Sequence, residues 1–255
     1  MSSLMFYSKP IALDKNLHKN LKLKRQDSYV FAQDANSIPV AGFEFFEASR
    51  SFPIFFARNK NGDYLPIAIL SLRQTGHDLG PTWKDAYVPA YVRRYPFVLS
   101  SDGMVLFDES APHMQENEGE ALFDDAGEPT TFTRDIVKFL ETVDQGYRLT
   151  EAFSKALAEK AILEPFKGQI KYGQSTINLG DLYSINEKKL HEVLSEKEVA
   201  EWFNKGWLAW SHAHLHSLGS VHEIIKRARD ANSAKDSNAE TPVAQEGLQS
   251  ENYSA

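Results

Sequence analysis

The chain has 255 residues, 42% of them hydrophobic and 25% charged, the balance of a globular protein long enough to bury a core. Its net charge of −7 speaks against a general polyanion binder, because nucleic-acid affinity rests on clustered Lys and Arg. The absence of cysteine excludes disulfides, thiolate metal sites, iron–sulfur clusters and cysteine nucleophiles.

Met1–Pro10 lacks the charged-then-apolar layout of a signal peptide. No stretch approaches the roughly 18 apolar residues that span a bilayer, so a cytoplasmic protein without a membrane span is expected. The segment from Lys15 to Arg25 also holds Lys19, Lys22 and Lys24, with Leu13, Leu17 and Leu21 at helical spacing. We read it as a solvated face with its leucines turned inward, in preference to a contact for anionic membrane or nucleic acid.

The first half then reads as strands. Tyr29–Ala32, Gly42–Phe46, Pro53–Ala57, Leu65–Leu72 and Pro96–Leu99 are short apolar or aromatic runs separated by turn signals. Asn61-Gly62 predicts a hairpin turn, and the recurring prolines predict short or bulged strands. The period changes at Ile136, Phe139, Leu140 and Val143, which fall at helical spacing. After Gly146, Thr150, Phe153, Leu157 and Ala161 continue the pattern, predicting two helices or one kinked helix stopped by Pro165. Ile177–Ile185 returns to an alternating run. Asn186 is placed to cap a short helix through Leu194, and Ser195 with Glu198 forms a capping box for a helix ending near Gly206. Trp207–Arg229 predicts a last helix with a bend at Gly219. From Asp230 onward Ala, Ser, Asn, Glu and Gln dominate, and a disordered acidic tail over 230–255 is expected. That tail carries five acids against one lysine, net −4 of the −7. There is no internal repeat. The expected class is α+β: a single domain over 1–229, with a mostly antiparallel, short-stranded N-terminal half packed with a helical C-terminal half.

The best candidate surface lies between Arg73 and Phe97. It brings together His77, Asp78, Trp83, Tyr87, Tyr91, Arg93, Arg94 and Tyr95, and aromatics with arginines are the residue types of binding hot spots. The competing reading is that the aromatics pack the core and the arginines pair with acids. His212 and His216 share a helix face at the spacing of a metal pair, but spacing suggests no third ligand. His214 falls on the apolar stripe of Trp207, Trp210, Leu218, Val221 and Ile225 and is expected to be a buried, hydrogen-bonded core histidine. No Walker A motif, G-x-G-x-x-G, G-x-S-x-G, H-E-x-x-H or His-x-Asp/Glu element occurs. No metal and no cofactor are assigned. The carboxylates at Asp108-Glu109, Glu116–Glu120 and Asp124-Asp125 do not single out an acid–base pair.

The pattern resembles the SapC family of bacterial proteins. The landmarks run from about Pro10 to Leu218. They include His18 with Leu21, Glu44-Phe45 leading to Phe52–Phe56, Trp83, Tyr87–Ala90 with Arg93–Phe97, Leu122–Asp124, Gly180–Tyr183, and Ala213–Leu215 with Ser217-Leu218. The resemblance implies company with surface-layer and outer-membrane uptake systems and supplies no active-site residues to transfer. The expected function is a binding or accessory protein that recognises a protein, peptide or glycan partner in an envelope-associated or nutrient-uptake system. The alternative is an enzyme acting on a peptide or envelope component, with His77, Asp78, Arg93 and Arg94, joined by His18, in one pocket.

Overall fold

The computed structural model describes residues 4–172, 175–178 and 181–239, with backbone alone over 169–172, 175–178 and 233–239. Three short strands open the chain: β1 (Pro10–Ala12), β2 (Lys22–Leu23) and β3 (Ser37–Pro39). A 3₁₀ turn at Gly42–Glu44 leads into the single-turn helix α1 (Phe45–Ala48). The hairpin strands β4 (Ile54–Arg58) and β5 (Tyr64–Ile69) follow, paired antiparallel with Arg58 opposite Tyr64. Their turn is built as its residues dictate. Asn59 Oδ1 accepts the N–H groups of Asn61 and Asp63, and Gly62 takes a φ of +92°, where a side chain would be strained.

The chain continues through α2 (Ala90–Arg93), β6 (Phe97–Leu99), β7 (Val105–Asp108), β8 (Met114–Gln115) and β9 (Glu120–Ala121) into the long helix α3 (Thr131–Glu159). Beyond it lie β10 (Leu163–Pro165), β11 (Gln169–Tyr172), β12 (Ser175–Asn178) and β13 (Leu182–Ile185). Four helices complete the fold: α4 (Glu187–Val193), α5 (Glu196–Asn204), α6 (Trp207–Ser217) and α7 (Val221–Ala239).

The main sheet has the order β10-β13-β4-β5-β3 and its registered pairs are antiparallel. Strand β4 is buried on both faces, which is why it reads as a continuous apolar run without alternation. Ile54 and Phe56 enter the main core beneath the helices, where they join Phe153 and Leu157 of α3 and Trp202 and Trp207 of the C-terminal helices. Phe55 faces the other way, against Ile69 and Ile224. A second cluster of Phe97, Phe107, Leu122, Phe123 and Leu140 sits under the sheet β1-β7-β6.

The α+β class, the antiparallel N-terminal sheets and the helical C-terminal half are as expected, and several details differ. Tyr29–Ala32 and Gly42–Phe46 are not strands but 3₁₀ and α-helical turns. The leucine spacing in Leu13–Leu21 makes no helix, and Leu17 is 82% exposed. The helix expected to kink near Gly146 is one continuous element. A Cβ at Gly146 would stand 2.3 Å from the Phe43 ring, so the glycine serves close packing. Pro165 does not stop α3. The helix closes on Lys160 and Ala161, with Ala161 N–H donating to the Ala158 carbonyl at 2.9 Å and Ile162 N–H to that of Leu157 at 2.9 Å. This is a Schellman closure, and Ala161 holds its left-handed position at φ +52°.

The run Ile177–Ile185 divides between β12 and β13, with Gly180 outside the described residues. The caps fall where the sequence places them. Asn186 accepts from Lys189 N–H at 2.9 Å, and Ser195 with Glu198 forms the capping box. The C-terminal helix breaks at a 3₁₀ turn over Leu218–Ser220 and then continues to Ala239, past Arg229. Residues 240–255 of the acidic tail lie outside the described residues. Among the described residues, no helix is long and apolar enough to cross a membrane.

Candidate functional site

The segment from Arg73 to Phe97 is distributed over three neighbourhoods. The first is a cleft of about 380 Å³ between residues 78–86 and helix α7. On one wall stand Asp78, Trp83, Lys84 and Asp85. On the other, Glu223, Lys226, Arg227 and Asp230 recur at helical spacing along α7, two cations flanked by two acids. Asp78 is anchored by an ion pair with Arg73, its side chain only 8% exposed. His77 accepts the Leu79 N–H on Nδ1 at 3.2 Å and meets the Trp83 ring edge-on, centroids 5.0 Å apart. Burial of the imidazole pushes its pKa below the ordinary histidine value.

Trp83 is the unusual residue here. It is 2% exposed, packed by Tyr29 and Phe52, and it holds a left-handed φ of +49°. For a bulky residue that conformation costs on the order of 1 kcal/mol. Its indole N–H is buried with no acceptor, and so is the Nε of Arg227.

The second neighbourhood is organised by Glu44, which sequence reasoning treated only as a landmark. Its carboxylate is 1% exposed. It accepts the Tyr87 hydroxyl at 2.9 Å, the Ala90 N–H at 2.6 Å and the Ala41 N–H at 3.1 Å. Burial pushes its pKa up, against the pull of these hydrogen bonds. Burial and the facing carboxylate push the Tyr87 phenol up as well. Arg93 is exposed. It donates Nε to the Val88 carbonyl at 3.0 Å and Nη2 to the Tyr87 hydroxyl at 3.3 Å, lying over the Phe139 ring. The signal that could have found Glu44 is an acid flanked by Phe43, Phe45 and Phe46 in an otherwise apolar stretch.

The third neighbourhood is an aromatic layer under the N-terminal residues. Tyr91 is fully buried and accepts the Met5 N–H at 3.1 Å, while the Arg94 guanidinium stacks 4.1 Å from its ring centre. Tyr95 stacks on Phe31 at 4.2 Å and donates to Asp108 Oδ2 at 3.3 Å, with burial pushing its pKa up to about 12. Asp108 is buried, which opposes ionisation. Hydrogen bonds from Ser110, Ser8 and Lys9 outweigh that and hold its carboxyl below the usual range.

Asp78 and Trp83 therefore line the α7 cleft, while His77, which packs on Trp83, does not line it, nor do Arg93 and Arg94. His18 stands elsewhere, edge-on to Phe107 in the second core cluster. His214 is a fully buried core histidine that accepts the Ile185 N–H at 3.1 Å on Nε2. His212 and His216 are exposed, and His212 stands 6.1 Å from the His191 ring. Among the described residues, no group of three or more His, Asp or Glu is placed to hold a metal ion. A second cleft of similar volume, about 380 Å³, lies between the β6–β7 turn and α3. None of its lining residues carries a buried unpartnered polar atom.

The SapC family profile matches residues 13–224, from the turn before β2 to the start of α7. No curated protein matches the chain. No solved structure matches it. The family match covers the main sheet, the Glu44 centre and one full wall of the cleft, and the chain belongs to the SapC family.

Proposed function

We propose that this SapC domain is a binding or accessory module that recognises a protein, peptide or glycan partner in an envelope-associated or nutrient-uptake system, with the α7 cleft as its recognition surface. The observation that carries the reading is Trp83, a buried aromatic held in a left-handed backbone conformation on the wall of a cleft, with its donor unused. Unfavourable local geometry of this kind clusters at binding and active sites. Both cleft walls carry charges of both signs, which suits a polypeptide bearing both signs better than a neutral sugar or a polyanion.

The test pairs a substitution on each wall. Lys84→Glu with Lys226→Glu reverses two exposed cleft cations, and Arg93→Ala removes an exposed arginine outside the cleft. Peptide and glycan arrays probed with the full chain are expected to select peptides. Binding should fall at least about tenfold in the double variant and hold in Arg93→Ala. Selected ligands that bind the double variant as tightly as the parent chain would remove the cleft from the reading.

A further inference from the structure

The identity of the recognised group follows from the donors in the cleft, and this step rests on the cleft being the recognition surface. Trp83 Nε1–H and Arg227 Nε–H belong to residues that line it, and both atoms are buried without an acceptor. An indole and a guanidinium nitrogen can only donate, so each calls for an acceptor from outside. Buried donors left in this condition are costly and rare in folded proteins.

Arg227 is the stronger of the two, being charged. One of its η nitrogens donates to the Ser51 carbonyl at 2.8 Å, and its guanidinium carbon lies 5.3 Å from the Phe52 ring centre. Asp78 and Glu223 support its charge from nearby, but neither accepts a hydrogen bond from Nε. Asp78 is ion-paired with Arg73, and Glu223 faces His222 Nε2 at 3.2 Å. A half-buried guanidinium with an unmet Nε–H, on the same cleft as an unmet indole N–H, matches one ligand chemistry best, a carboxylate. The acids of the rim, Asp85 and Asp230, disfavour a polyanion and suit a ligand that also carries a cationic group.

We infer that the cleft receives a peptide carboxylate, from a chain terminus or an acidic side chain, on the Trp83 indole N–H and the Arg227 Nε–H. Because both donors are buried, the ligand reaches them as the 78–86 segment moves away from α7. Trp83, at φ +49°, is the residue of that segment whose backbone gains from a shift.

The full chain contains four tryptophans, so its indole N–H region in a ¹H–¹⁵N spectrum is simple, and Trp83 is identified there by contacts to the His77 and Tyr29 rings. The probes are N-acetyl-dialanine, its carboxamide, and N-acetyl-aspartate α-amide, which keeps only the side-chain carboxylate. The expected result is a saturable shift of the Trp83 cross-peak with one or both acids and at least about tenfold weaker binding of the carboxamide. Which acid acts assigns terminus or side chain. Arg227→Gln abolishes the shift. Arg227→Lys, which keeps the charge and the stem packing, weakens it about tenfold and guards against a Gln variant that does not fold. Equal shifts with the carboxamide, equal shifts with inorganic phosphate, or no shift with any probe each overturn the carboxylate assignment. The recognition reading fails separately, on unchanged array binding by the Lys84/Lys226 double variant.

Discussion

His214 is fully buried, its Nε2 accepts a backbone N–H, and burial drives its pKa down to about 3. An unfolded histidine titrates near 6.5, so between those values the unfolded chain binds a proton that the folded chain refuses. Stability from this residue is complete above about pH 6.5 and falls as the pH drops toward 3, by up to about 1.4 kcal/mol per pH unit. His77 and His113 are lowered by burial too and act in the same direction. Urea unfolding at pH 7 and pH 5 should therefore show a clear loss of stability, partly flattened in His214→Gln, whose amide oxygen still accepts from Ile185. Equal pH slopes in the two proteins would refute the assignment. The burial of His214 was legible in the sequence, because it falls on an apolar stripe of its own helix. For Glu44 the flanking phenylalanines hint at burial, but its partners Tyr87 and Ala90 lie 43 and 46 residues away and leave no local signature.

At the scale of single elements, the end of α3 offers a direct test of backbone strain. A Schellman closure places a left-handed residue after the helix, and this chain uses Ala161 at φ +52° where glycine is favoured. Ala161→Gly removes the steric cost of that conformation and adds conformational entropy to the unfolded chain, two effects of opposite sign. The first is larger for a residue held in the left-handed region, and a net gain of about 0.5–1 kcal/mol is expected by chemical denaturation. No gain, or a loss, would mean that the alanine methyl contributes packing that outweighs the strain. The caps at Asn186 and Ser195 and the Asn61-Gly62 turn were readable because each is settled by residues three or four apart. Gly42–Phe46 misled for the opposite reason. Its aromatics suggest a strand, but a Cβ at Gly42 would stand 2.3 Å from the Trp210 ring, and that long-range approach, with the Thr150 hydroxyl accepting the Gly42 N–H at 2.7 Å, fixes a helical turn.

Across the whole molecule, the sheet is closed by β10 and β13, strands drawn from the C-terminal half, and the candidate cleft is closed by α7. Neither partnership has a local signature, which is why the sequence pointed to one wall of the cleft and not the other. Truncation measures what the C-terminus adds. A chain ending at Ala239 keeps α7 entire, and with little apolar surface in residues 240–255 its thermal midpoint should equal that of the full chain. A chain ending at Arg229 loses Asp230 and Ala231 from the cleft wall and should bind the array-selected peptides more weakly. A lower midpoint for the 239-residue chain would show that the tail packs on the domain.

Helix α3 spans 29 residues, about 43 Å at the usual rise. It contributes Leu140 to one hydrophobic cluster and Phe153 and Leu157 to the other. Loss of either cluster strips one end of the same hydrogen-bonded rod, so the rod couples their melting. The two cores are therefore expected to melt together as one cooperative transition, which coincident unfolding curves from tryptophan fluorescence and far-UV circular dichroism would check.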